Sequence, residues 1–173
     1  PEGQDLAPWA AFGQANQLYS PIQLANALAT LVSGGQHCPA HLLKEVRSAD
    51  GGEVLALGDS TPLNTIDIKT EYLDAIKRGM LGYTTGSLAG YFKDCVVTAG
   101  AKTGTAQMGS DAENNGIFVC FGPYEDPEIA VAIVVEQAGA GANITPAAVQ
   151  ILNAWFSAPE IDTPIQGENT LLP

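Results

Sequence analysis

Leucines at 24, 28 and 31 recur at helical spacing and share one face, which predicts a helix over 20–35. Its start is carried by Ser20-Pro21-Ile22-Gln23. Ser20 can cap, Pro21 suits the first helical position because its missing N–H is not needed there, and Gln23 completes a capping box. Gly34 and Gly35 supply the stop, since a left-handed C-terminal cap disfavours any side chain. Tyr72, Leu73, Ile76 and Met80 repeat the helical spacing and predict a second helix over 70–81, ended by Gly82. Residues 84–92 predict a short helix or turn, with Thr84 or Thr85 as its cap. Between the two long helices, 36–65 turns irregular. Ser48-Ala49-Asp50-Gly51-Gly52 forms a turn between apolar runs at 43–46 and 54–57, predicting a surface hairpin or excursion.

The second half of the chain carries the strand signals, at 95–98, 101–107, 117–121 and 129–136, and three of these runs read as neighbours. The turn-rich linker Gly122-Pro123-Tyr124-Glu125-Asp126-Pro127 joins the last two into an antiparallel hairpin. A polar loop over 109–116 connects the previous pair. Thr145-Pro146 opens a third helix, whose Ala148, Ile151, Leu152 and Trp155 predict an apolar stripe lying on the sheet. Pro159 ends the compact part. The chain thus divides into one unit over 1–158 and a poorly ordered tail over 159–173, where Pro, Gly and acidic residues follow no period. The fold class expected is α/β, an antiparallel sheet with helices packed on it.

Composition narrows the classes of function. The 173 residues, 46% of them hydrophobic, suffice for one domain or a large piece of one. Nineteen acidic against seven basic side chains give a net charge of -12, which repels phosphate backbones and argues against nucleic-acid and anionic-membrane partners. No stretch approaches the roughly 18 consecutive apolar residues of a membrane span. The opening Pro1-Glu2-Gly3-Gln4-Asp5 lacks an initiator Met and the basic start of a signal peptide, so a processed or truncated chain is expected, with any anchor elsewhere. Cys38, Cys95 and Cys120 are odd in number and far apart, which argues against a disulfide framework while leaving a single bridge open. His37, Cys38 and His41 have residue types that bind zinc, but no fourth ligand stands at a recognisable spacing. No metal and no cofactor are expected.

Chemistry concentrates in Ala101-Lys102-Thr103-Gly104-Thr105-Ala106-Gln107. On a strand, Lys102 offers a fixed positive charge, the hydroxyls of Thr103 and Thr105 can bond a carboxylate, and Gly104 lets a ligand approach the backbone. The triplet alone also suits an ordinary edge strand with a solvated lysine. Its context decides: Ala11-Phe12-Gly13-Gln14, Ser20-Pro21-Ile22-Gln23-Leu24-Ala25, Val32-Ser33-Gly34-Gly35 and Lys102-Thr103-Gly104-Thr105-Ala106-Gln107 occur in this order. Asn115-Gly116-Ile117-Phe118-Val119, Pro123 and the strand over 129–136 follow. In these residues, over about 7–156, the chain resembles the transpeptidase domain of penicillin-binding proteins, of β-lactamase-like fold.

The resemblance implies serine acyl transfer: attack on a D-alanyl-D-alanine stem peptide, an acyl-enzyme, and transfer to another strand's amine. It further implies that β-lactams acylate the same serine, and that the domain stands at the extracytoplasmic face of a bacterial cell membrane. Lys102 would support the site's electrostatics and hydrogen bonding, Thr103 and Thr105 would bind the carboxylate, and Gly104 would leave room for the ligand. The N–H of Thr105 would give one donor of the oxyanion hole. The sequence departs from the family where it matters most. No Ser is followed three positions later by Lys, and no Ser-x-Asn occurs. Both motifs are expected upstream of this segment, which cannot run the reaction alone. Ala101 also stands before Lys102, where the family usually has Gly. Two alternatives stay open: a non-enzymatic sensor or scaffold module, and a β-lactamase or D,D-carboxypeptidase relative. A partial domain is further expected to expose a sheet edge and self-associate.

Overall fold

The computed structural model describes residues 18–107 and 113–157, together with Pro8 and Gly13. The chain enters through helix α1, Pro21–Val32, with the expected capping box: Ser20 accepts from the N–H of Gln23, and the Gln23 side chain accepts from that of Ser20. The helix closes on a Schellman pair. The N–H of Gly35 donates to the Thr30 carbonyl at 2.8 Å and that of Gly34 to the Leu31 carbonyl at 3.4 Å. Gly35 is required twice over, by its φ of 93° and because a Cβ there would lie 2.2 Å from the Ile66 carbonyl oxygen.

Two small antiparallel ladders follow. Strands β1 (Gln36–His37) and β4 (Asn64–Thr65) pair, an element absent from the sequence reading because two-residue strands carry no periodicity. Strands β2 (Glu45–Arg47) and β3 (Val54–Leu57) form the expected surface hairpin, with a register shift between Val46 and Arg47.

Helix α2 runs Thr70–Thr85. It therefore passes through Gly82, which was expected to end it. A glycine costs a helix only about 1 kcal/mol, and contacts made by the residues beyond it outweigh that. Thr84 is 3% exposed, and its hydroxyl donates to the carbonyls of Leu81 at 2.9 Å and Ala99 at 2.7 Å. Thr84 and Thr85 accordingly end α2 rather than cap the next helix. That helix, α3 (Ala89–Phe92), has Leu88 at its N-cap and no side-chain cap bond.

The main sheet is β5 (Gly100–Ala106), β6 (Asn115–Gly122) and β7 (Ile129–Val135), antiparallel throughout and ordered β5-β6-β7. This is the antiparallel α/β arrangement expected. Residues 95–98, expected as a strand, are instead irregular. Side-chain bonds hold them there: Asn153 accepts from the Val96 N–H at 2.8 Å and donates to the Asp94 carbonyl at 3.0 Å. Asn115 and Gly116, assigned to the polar loop, already belong to β6.

Helices cover both faces of the sheet. On one, Ala101, Phe118 and Cys120 pack with Ile144, Ala148 and Leu152, from a 3-10 turn (Gly141–Ile144) and helix α4 (Thr145–Ser157). On the other, Phe121 packs with Leu28 of α1 and Met80 of α2. Full burial of one such side chain stabilises the fold by about 1.5–3 kcal/mol. The buried stripe of α4 is Thr145, Ala148, Val149 and Leu152. Ile151 and Trp155, expected in that stripe, are 40% and 57% exposed, so the stripe is rotated from the one expected. The expected tail and most of the Ala11-Phe12-Gly13-Gln14 run lie outside the described residues. No described helix is long and apolar enough to cross a membrane.

Candidate active-site strand

Strand β5, at the edge of the sheet among the described residues, carries Lys102, Thr103, Gly104 and Thr105, the four residues singled out from the sequence as a site. Its register sets Lys102 opposite Val119, Thr103 opposite Phe118, Gly104 opposite Ile117 and Thr105 opposite Gly116. Because side chains alternate along a strand, Ala101, Thr103 and Thr105 share one face while Gly100, Lys102 and Gly104 share the other. Ala101 is buried under α4 and anchors the strand, whereas Lys102 and Thr105 are exposed. The departure from Gly to Ala before Lys102 is thus accommodated as a core contact.

Lys102 Nζ donates to the carbonyl of Thr103 at 2.7 Å, which holds the ammonium against the strand. It also lies 5.8 Å from the centre of the Tyr83 ring. The Tyr83 hydroxyl is 2.9 Å from Thr103 Oγ1, so one aromatic side chain from α2 meets both Lys102 and Thr103. Gly104 is backed by Ile117, whose Cβ would lie 3.3 Å from a Cβ added at 104. Gly141 presses against the same stretch: a Cβ there would be 2.4 Å from the Gly104 carbonyl oxygen and 2.5 Å from that of Ile117. Its N–H makes a long contact to Thr105 Oγ1 at 3.5 Å. The strand thus carries two hydroxyls on one face and a positive charge on the other, with a side-chain-free backbone at Gly104 between Thr103 and Thr105.

Tyr83 and Gly141 went unnoticed in the sequence. Tyr83 falls just past the glycine expected to end its helix, and neither residue carries a local signal of what it packs on. Clefts of about 400 Å³ near Thr84, Phe92 and Val96, and of about 360 Å³ near Thr30, Leu31 and Ile66, are lined by residues other than Lys102–Thr105. Among the described residues, no three His, Cys, Asp or Glu come together as a metal site, His37, Cys38 and His41 included.

A profile of the penicillin binding protein transpeptidase domain matches residues 6–155. The chain belongs to that family. Among relatives, this transpeptidase-family chain is 32% identical over 140 residues to penicillin-binding protein 2A of Bacillus subtilis (strain 168), covering 72% of the chain and 19% of that protein. It is 29% identical over 158 residues to the peptidoglycan D,D-transpeptidase MrdA of Escherichia coli (strain K12), covering 82% and 25%. It therefore spans about a fifth to a quarter of the length of these curated relatives. Its fold is that of penicillin-binding transpeptidase domains. The likeness to penicillin-binding protein 2B of Streptococcus pneumoniae (strain R6) has a TM-score of 0.73 at 22% identity, over 92% of this chain and 29% of that one. That to penicillin-binding protein A of M. tuberculosis, solved as an imipenem acyl-enzyme complex, has a TM-score of 0.71 at 21% identity, over 83% and 32%.

Proposed function

We propose that this chain is the substrate-binding, C-terminal part of a peptidoglycan D,D-transpeptidase, which cross-links stem peptides by serine acyl transfer and is acylated by β-lactams. The observation that carries the reading is the marginal strand β5, which presents Lys102, Thr103, Gly104 and Thr105 within a chain matched to the transpeptidase family over 6–155. In this reading Lys102 supplies the field for an anionic ligand. Thr103 and Thr105 hold the stem peptide's terminal carboxylate, Gly104 leaves space for its backbone, and the Thr105 N–H donates to the developing oxyanion. The nucleophile comes from outside this sequence, which contains no Ser-x-x-Lys. The relatives' names, penicillin-binding protein and peptidoglycan D,D-transpeptidase, weigh against a sensor module or a β-lactamase or carboxypeptidase relative. Stem peptides are cross-linked outside the cytoplasm, so the parent's working site is the extracytoplasmic face of the membrane.

The test is a nuclear magnetic resonance titration of the chain with N-acetyl-D-alanyl-D-alanine. The amide signals of Lys102–Thr105 move, Lys102→Ala weakens the effect, and the carboxamide form of the peptide leaves them still. Movement confined to other strands sinks the assignment. Fluorescent penicillin leaves the chain unlabelled, and covalent labelling overturns the claim that its nucleophile is absent. Edge pairing belongs to the same reading, because among the described residues the strand order leaves β7 at a sheet margin with Val134 and Val135 partly exposed. A monomer by light scattering at all concentrations removes that part.

A further inference from the structure

We propose that Tyr83 is a positioning residue of the carboxylate-binding strand, orienting the Thr103 hydroxyl so that its proton points to the ligand. The inference rests on the reading of β5 given above and names a residue which that reading does not contain. Tyr83 is half-buried between α2 and the sheet, its phenolic oxygen 2.9 Å from Thr103 Oγ1. Either oxygen can donate across that distance. The two directions differ in consequence. When Tyr83 donates, a lone pair of Thr103 is satisfied and its single proton is left for an incoming carboxylate. When Thr103 donates instead, that proton is spent on the phenol. An arriving anion selects the first arrangement, and hydrogen bonds in series then polarise one another.

The Tyr83 ring adds a second restraint. It lies 5.8 Å from Lys102 Nζ, which itself bonds the Thr103 carbonyl at 2.7 Å. The ammonium is therefore held between a π-face and a backbone oxygen rather than sweeping through solvent. α2 is in turn tied to the start of β5 by the bond from Thr84 to the Ala99 carbonyl, so the phenol cannot drift relative to the strand.

The experiment uses the isotopically labelled full chain, with N-acetyl-D-alanyl-D-alanine as probe. Tyr83→Phe keeps the ring and removes only the hydroxyl. Scalar couplings report a single χ1 rotamer of Thr103 in the unsubstituted chain and an average in Tyr83→Phe. Tyr83→Phe and Thr103→Val each weaken probe binding about fivefold, the scale of one neutral hydrogen bond, and the double variant binds no more weakly than Thr103→Val alone. Unchanged affinity in Tyr83→Phe, or effects that add, overturns the role of Tyr83 while the strand assignment stands. If the probe leaves Lys102–Thr105 unmoved in the unsubstituted chain, the strand assignment falls and this proposal with it. Rotamer averaging of Thr103 in the unsubstituted chain overturns the proposal without recourse to any variant.

Discussion

Thr84 and Ala99 are joined by a buried hydrogen bond of 2.7 Å that fastens the last turn of α2 to the residue preceding β5. Ala99 is 2% exposed, so its carbonyl loses a partner if the hydroxyl is removed. Thr84→Val preserves shape and deletes only the donor. It is expected to lower unfolding free energy by about 1–3 kcal/mol, measured by urea denaturation. A change below experimental error shows that the carbonyl is satisfied in another way.

Gly141 touches the backbone of the candidate strand, and its neighbours there are main-chain oxygens that cannot rotate away. Gly141→Ala therefore forces the 3-10 turn off the sheet. We expect a loss of about 3 kcal/mol, together with amide shifts at Gly104 and Ile117. Amide spectra that superimpose on those of the unsubstituted chain contradict the contact.

Leu152 and Trp155 were expected on one buried stripe, and the structure separates them. Leu152→Ala is expected to cost about 2–5 kcal/mol, because Leu152 is wholly enclosed against the sheet. Trp155→Ala is expected to cost less than about 1 kcal/mol. Thermal melts compare the two directly, and a larger loss for Trp155 returns the stripe to its expected position.

Cys120 is enclosed beneath α4, and burial, reinforced by the nearby Cys95 thiol, pushes its pKa up to about 12. The fold thus favours the neutral thiol. Its contribution is fully present below the ordinary thiol value and is lost as pH rises towards about 12, where the folded state too must ionise. Urea midpoints should fall over that alkaline window, and Cys120→Ala should flatten the fall. At neutral pH, iodoacetamide should leave Cys120 unmodified until the chain is unfolded. Rapid native labelling at Cys120 rules out this burial.

Residue order alone determined the elements whose signals are local. The capping box of α1 spans Ser20 to Gln23, its stop is a pair of adjacent glycines, and both are realised because their hydrogen bonds close within one turn. The β6–β7 hairpin and the Lys102-Thr103-Gly104-Thr105 strand were equally legible, as was the family. Tertiary structure decided what depends on residues far apart. It carried α2 through Gly82, since bonds from Tyr83 and Thr84 to residues 15 to 20 positions away outweigh one glycine's backbone entropy. It kept 95–98 out of the sheet, because Asn153, 57 positions from Val96, satisfies that backbone instead. It also turned α4 to bury Thr145 and Val149 rather than Ile151 and Trp155. A helix with apolar residues on several sides has no intrinsic inward face, and only the shape of the sheet beneath selects one.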